Sequence, residues 1–219
     1  MAKRKKESIT ITAEERLKEA LVPENKQPYQ LPCNWCWVSI KAINQYLGAS
    51  LNPGDFPDTE FELYSVPSSA NNYPEIITGD EIGSSKQIVQ EGDVLLCKIN
   101  PRINRVWIVS RYTKFDLLAS SEWIVVRNKI INAKYIMWYF RSPSFREYMM
   151  SNVSGVGGSL MRAKPKLVEM YPVPVPPIAE QQRIVDRIEN LFSKLDEAEE
   201  KLQSVLDSFE TRKAAILHK

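Results

Sequence analysis

Between residues 30 and 130 the apolar positions fall in short runs bounded by turn residues, a spacing that predicts strands rather than long helices. Trp35 and Trp37 alternate with polar neighbours, as in a strand with one buried face. Phe61-Glu62-Leu63-Tyr64-Ser65-Val66 is an extended piece within a stretch, 52–72, rich in Pro, Ser, Asn and Asp. Gly92-Asp93 reads as a turn that launches a strand over Val94-Leu95-Leu96-Cys97-Lys98-Ile99, and two more strands are predicted over 106–109 and 123–126. Asn132 stands where it would cap a helix carrying Tyr135, Ile136, Tyr139 and Phe140 on one face, and a second short helix is predicted from Ser144 to Met150. Near the start, Thr12-Ala13-Glu14-Glu15 has the form of a capping box, opening a short helix that runs to Leu21 and is stopped by Pro23.

The pattern changes at Tyr171-Pro172-Val173-Pro174-Val175-Pro176-Pro177. So many prolines exclude helix, and the segment is expected to be extended, near polyproline II, as a stiff boundary. From Ile178 to the last residue there is neither Gly nor Pro. Apolar residues recur there at Ile184, Ile188, Leu191, Leu195, Ala198, Leu202, Val205, Phe209 and Ile216, with Arg212 in the seam position between the last two. The alternating steps of four and three form a heptad seam on a helix roughly 60 Å long. A narrow apolar stripe on a projecting helix needs a second helix to cover it: a copy from another chain, a later helix of a longer parent chain, or a partner protein. The expected architecture is α+β. Residues 1–31 form a tail and short helix, 32–170 a globular mixed domain, 171–177 the Pro-rich boundary, and 178–219 a long coiled-coil-forming helix.

The net charge of +2 conceals a strong segregation. Residues 98–166 carry 13 basic and 3 acidic side chains, against 9 and 14 in residues 1–97. A positive excess gathered into one stretch is the footprint of a polyanionic partner, most often nucleic acid. Sequence readout needs side chains that match base edges, and affinity needs cations for phosphates. The block Lys98-Ile99-Asn100-Pro101-Arg102-Ile103-Asn104-Arg105 follows a strand and offers both kinds through Lys98, Asn100, Arg102, Asn104 and Arg105. Ser159, Arg162, Lys164 and Lys166 form a second candidate group, behind the flexible Gly155-Val156-Gly157-Gly158. Tyr112, Lys114, Arg127 and Lys129 are weaker phosphate candidates, while Trp107, Trp123, Trp138 and Tyr139 read as core rather than as base-stacking platforms.

Cys33-Asn34-Trp35-Cys36 has the spacing of a zinc or redox pair, but only Cys97 and the single histidine, His218, remain as further ligands. A structural zinc site needs about four. Three free thiols suit a reducing cytoplasm. The basic start, 1–7, lacks the apolar stretch of a secretory signal, and no apolar run is long enough to span a membrane.

Three signatures then line up in order. The first is Pro32-Cys33-Asn34-Trp35-Cys36-Trp37-Val38, after the lead-in Ala20-Leu21-Val22-Pro23 and Gln27-Pro28-Tyr29. The second is Gly92-Asp93-Val94-Leu95-Leu96-Cys97-Lys98. The third is Pro174-Val175-Pro176-Pro177-Ile178-Ala179-Glu180-Gln181-Gln182-Arg183-Ile184-Val185, followed by Ile188-Glu189-Asn190-Leu191-Phe192-Ser193-Lys194-Leu195-Asp196. Together they resemble the specificity subunits of type I restriction–modification systems, the third nearly residue for residue. The resemblance implies a target-recognition domain that reads one half of a bipartite duplex DNA site and a spacer helix that acts as a ruler. It implies modification (methyltransferase) subunits that bind S-adenosylmethionine, a restriction (nuclease-translocase) subunit, and no cofactor on this chain. It also implies half of the usual subunit, which carries two domains and two antiparallel helices; a homodimer through the bare seam would then read a gapped palindrome.

The residues argue against chemistry of the chain's own. Gly155-Val156-Gly157-Gly158 follows no strand, Asn71-Asn72-Tyr73-Pro74 has the letters of an amino-methyltransferase site in the wrong order, and Glu199 and Lys201 face outward from the seam. The competing class is a coiled-coil adaptor whose head binds no DNA, which would have no use for the basic stretch.

Overall fold

The computed structural model describes residues 18–151, 153–154 and 161–217. Its elements, in chain order, are β1 (Cys36–Ser39), α1 (Ile40–Ile43), β2 (Ser50–Leu51), β3 (Glu60–Tyr64), β4 (Glu75–Thr78), β5 (Lys86–Ile88), β6 (Val94–Cys97), β7 (Val106–Ile108), β8 (Asp116–Ala119), β9 (Trp123–Val126), α2 (Ala133–Phe140), α3 (Pro143–Ser151), β10 (Val153–Ser154), β11 (Arg162–Ala163), α4 (Pro165–Val168), β12 (Pro172–Val175) and α5 (Ile178–Leu217). The amino-terminal capping box lies outside the described residues.

Strand β6 organises the domain. It pairs antiparallel with both β7 and β9, and all four of its residues are buried. Val94 and Leu96 project into a core shared with Ile136 and Phe140 of α2 and Phe145 and Met149 of α3. Leu95 and Cys97 project the other way, into a core with Tyr64, Leu117 and Ala119 of a five-stranded sheet ordered β2-β5-β8-β3-β4. Phe61, Leu63, Ile82 and Leu118 cover that sheet's outer side. Helices, three-stranded sheet and five-stranded sheet therefore stack as layers, the α+β arrangement that the run of short strands implied. Trp107 and Trp123 are buried between the sheets, as expected of core aromatics, and Trp123 Nε1 donates to Tyr64 O at 2.9 Å.

The Gly-Asp turn has a structural purpose. Gly92 takes φ +87°, a backbone state that costs glycine little. The Asp93 side chain, 1 % exposed, accepts hydrogen bonds from Gln90 N at 2.9 Å, Arg127 Nε at 2.8 Å and Arg127 Nη2 at 2.7 Å. Arg127 is thus a clamp that neutralises a buried carboxylate, not the phosphate contact its charge suggested. Glu62, fully buried, pins the loop after β7 through neutral donors: its carboxylate accepts from Thr113 N at 2.9 Å, Thr113 Oγ1 at 2.8 Å and Tyr64 OH at 2.9 Å.

The proline segment is extended, as expected, but it is paired. β12 runs antiparallel to β1 with Val173 opposite Val38 and Pro174 opposite Trp37, and Val173 is fully buried. Prolines lack the N–H that a second neighbouring strand would require, so their outward carbonyls are taken by side chains instead. Tyr135 OH donates to Pro174 O and Tyr139 OH to Pro172 O, both at 2.6 Å. One helical turn separates the two tyrosines, matching the two-residue step along the strand. Asn132 caps α2 as expected, accepting from Lys134 N at 2.8 Å.

Helix α5 leaves the domain along α2. Gln181 is buried, its Nε2 donating to Pro176 O at 2.9 Å and its Oε1 accepting from Asn132 N at 2.8 Å. Val185 is fully buried in the helix-side core. Ile184 and Ile188 are half-buried, Lys134 pairs with Glu189 at 2.9 Å, and Phe192 stacks on Trp138 with ring centroids 5.0 Å apart. Beyond that point the seam stands clear of the domain: Leu195, Leu202, Val205 and Phe209 are 61–65 % exposed, and Ala198 is exposed with them.

Candidate nucleic-acid interface

The basic block 98–105 is a rigid turn at the end of β6. Asn100 and Asn104 both adopt left-handed backbone, φ 46° and 52°, on either side of a 3-10 turn over Pro101–Ile103. Asparagine, whose short polar side chain can bond locally, is among the few non-glycine residues that adopt that state readily. The turn is held from three directions. Asn100 N donates to Met161 O at 2.9 Å, Asn104 Nδ2 donates to Phe140 O at 2.7 Å, and Pro101 is buried. Arg102 and Ile103 are left exposed at the tip.

The two candidate blocks, some sixty residues apart in sequence, are brought together. Ile99 and Arg162 form an antiparallel bridge, and Ala163 N donates to Lys98 O at 2.8 Å. Lys98, Arg162, Lys164 and Lys166 consequently line one surface hollow of about 800 Å³. Glu122 tempers its charge, with Arg162 Nη2 at 3.2 Å and Lys98 Nζ at 4.0 Å. Lys98 also donates to Ser121 O at 2.6 Å, and Asn104 is committed to the end of α2, so these two serve to hold the turn in place. Lys164 and Lys166 project freely enough to be exposed. Ser159 and the glycine run ahead of it lie outside the described residues.

Tyr112 and Lys114 sit elsewhere, on the loop between β7 and β8, and both are exposed. The Tyr112 ring lies 4.8 Å from that of Tyr73. A feature that sequence reasoning missed adjoins Arg105: a cleft of about 420 Å³ in which Arg105 is joined by Arg141, at the end of α2, and Arg146, on α3. Both belong to the basic stretch, but helical positions hid their convergence with a strand residue.

Cys33 and Cys36 are exposed and free, Cys97 is buried and free, and burial pushes the thiols of Cys36 and Cys97 up, away from the reactive thiolate. Among the described residues no His, Cys, Asp and Glu side chains are grouped to hold a metal ion, and no helix is long and apolar enough to cross a membrane.

The profile of the type I restriction modification DNA specificity domain matches residues 49–207. The specificity subunit of the type I restriction enzyme EcoAI from Escherichia coli is 28 % identical over 199 residues, covering 85 % of this chain and 33 % of that protein. The EcoDI specificity subunit, also from Escherichia coli, is 26 % identical, with 89 % and 43 % covered. This chain therefore spans less than half the length of either relative. Among solved structures, the HsdS subunit from Thermoanaerobacter tengcongensis superposes with a TM-score of 0.65 at 22 % identity, covering 78 % of this chain and 45 % of that one. A chain from a structure of a type I R-M system in assembly and conformational transition gives 0.67 at 23 % identity, with the same coverage. Those two likenesses establish the fold, while the profile, spanning most of the chain from β2 into α5, establishes the kinship: the chain belongs to the family of type I restriction modification DNA specificity domains.

Proposed function

We propose that this chain is the DNA-reading half of a type I specificity subunit, recognising one half of a bipartite duplex target and catalysing nothing itself. The observation that carries the reading is the pinned turn 100–104, which presents Arg102 at its tip beside the hollow lined by Lys98, Arg162, Lys164 and Lys166. A rigid turn loses little entropy on binding, and an arginine at its tip suits the paired acceptors of a guanine edge. Lysines at the margin suit phosphates. Helix α5 sets the distance to the second half-site by pairing with another spacer helix, either that of a second copy or that of a second recognition domain. The helix and domain then place a modification subunit, which holds S-adenosylmethionine, and a restriction subunit in a cytoplasmic complex. No cofactor is assigned to this chain.

The test is duplex binding measured across a salt series with random-sequence and selected DNA. Affinity should fall steeply with salt, and one sequence class should be retained preferentially. Arg102→Ala should cost about 1–3 kcal/mol on the selected target and leave random-sequence binding nearly unchanged. Absence of any salt-dependent DNA binding would leave the adaptor reading in its place.

A further inference from the structure

We infer that the cleft between the 98–105 turn, α2 and α3 is a seat for the DNA backbone, with the guanidinium groups of Arg105, Arg141 and Arg146 holding phosphodiester oxygens beside the base-reading turn. The inference rests on the DNA-reading proposal above and adds a binding site and three residues to it. The residues that line the cleft include these three arginines and no carboxylate; Ser69 and Asn72, from the connection between β3 and β4, line it as well. The contrast with the neighbouring hollow is direct, since there Glu122 lies against Lys98 and Arg162. Three arginines share a cleft whose lining residues include no carboxylate, and an anion bound there complements their charge.

The arginines are positioned by the fold. Arg141 Nη2 donates to Val106 O at 2.8 Å, and its guanidinium carbon lies 5.3 Å from the centre of the Trp138 ring. That anchoring leaves the rest of its fork of donors available to a ligand. Arg105 immediately precedes β7 and follows Asn104, whose side chain ties the turn to the last residue of α2, and its own side chain hydrogen-bonds the Cys97 thiol, which leaves the rest of its fork of donors for a ligand. Arg146 lies on α3, which packs on Pro101–Ile103 and is exposed at that position. Glu147, its neighbour in sequence, lines a different hollow with Tyr29 and Tyr148. The cleft also continues: Asn72 and Arg141 are shared with an adjoining groove lined by Tyr112 and by Lys134, which is paired with Glu189. An elongated groove with arginines at one end, beside an exposed arginine turn, fits a polymer backbone better than a small anion.

The full chain is titrated with mixed-sequence duplex DNA over a series of salt concentrations, wild type beside Arg105→Gln/Arg146→Gln. Losing two phosphate contacts should reduce the slope of log Kobs against log salt by about 2, equally for every sequence, and Arg105→Lys/Arg146→Lys should restore most of it. A structural role would not move the slope, and Arg146→Gln alone, at an exposed position, gives a reduction of about 1 without touching the turn. An unchanged slope in glutamine variants that still bind DNA overturns the cleft assignment alone. A wild-type chain that shows no salt-dependent binding overturns the DNA-reading proposal and this inference with it.

Discussion

Helix α5 has two regions with one sequence pattern and opposite surroundings. From Ile178 to Phe192 the helix lies on its own domain: Val185 is in the core, Gln181 bridges Pro176 and Asn132, and Phe192 stacks on Trp138. From Leu195 to Phe209 the same heptad seam is bare. The difference teaches that apolar periodicity states that a stripe must be covered and is silent about what covers it. Inside the domain the covering surface is α2, supplied by the same chain; outside, the function proposed above has a second helix supply it. The domain-side contacts also aim the helix, because two backbone-directed bonds from one buried glutamine leave it little freedom to swing.

Four substitutions would break or sharpen that contrast. Val185→Asp should have the largest effect. It places an unpaired charge in a fully buried site and should cost about 4 kcal/mol or more, seen as collapse of the cooperative melt of the domain. Leu202→Glu should leave that melt untouched while weakening self-association about 100-fold, roughly 3 kcal/mol, read by sedimentation or light scattering; a wild-type chain that is monomeric at all accessible concentrations would show that the outer seam awaits a different helix. Gln181→Ala orphans the Asn132 N–H and the Pro176 carbonyl and should cost about 2 kcal/mol, measured by denaturant midpoint. Phe192→Ala, at the point where the helix leaves the domain, should cost about 1 kcal/mol from the lost stack on Trp138. A loss several times larger would mean that Phe192 is part of the core and that the bare region begins farther out.

Much of this was legible in the chain. Strands β3, β6, β7 and β9, the Asn132 cap, both short helices and the long helix all follow from local periodicity and capping chemistry. Strand β8 does not. Asp116-Leu117-Leu118-Ala119 has a helix-favouring composition, and it is a strand because β3 and β5 hydrogen-bond it on both sides and Leu117 to Ala119 are buried. The proline segment was legible as extended but not as a paired strand, since its partner, β1, lies about 135 residues away. Of the candidate interface, the cationic turn and the cations of 162–166 could be picked out by charge. The use of Arg127 against Asp93 and of Asn104 against Phe140 could not, because a charged or amide side chain reads the same in sequence whether its partner is DNA or the protein itself.

The sequence by itself determined the α+β class, the long helix with its uncovered stripe, the concentration of positive charge and the family to which these belong. Each is written in spacing and composition, which are local or summed quantities. The tertiary structure alone decided which cations are spent on buried carboxylates, which converge on one face, and where the domain releases α5 into solvent. Those outcomes depend on contacts between residues far apart in the chain, where burial and the loss of water set the energy of every charge.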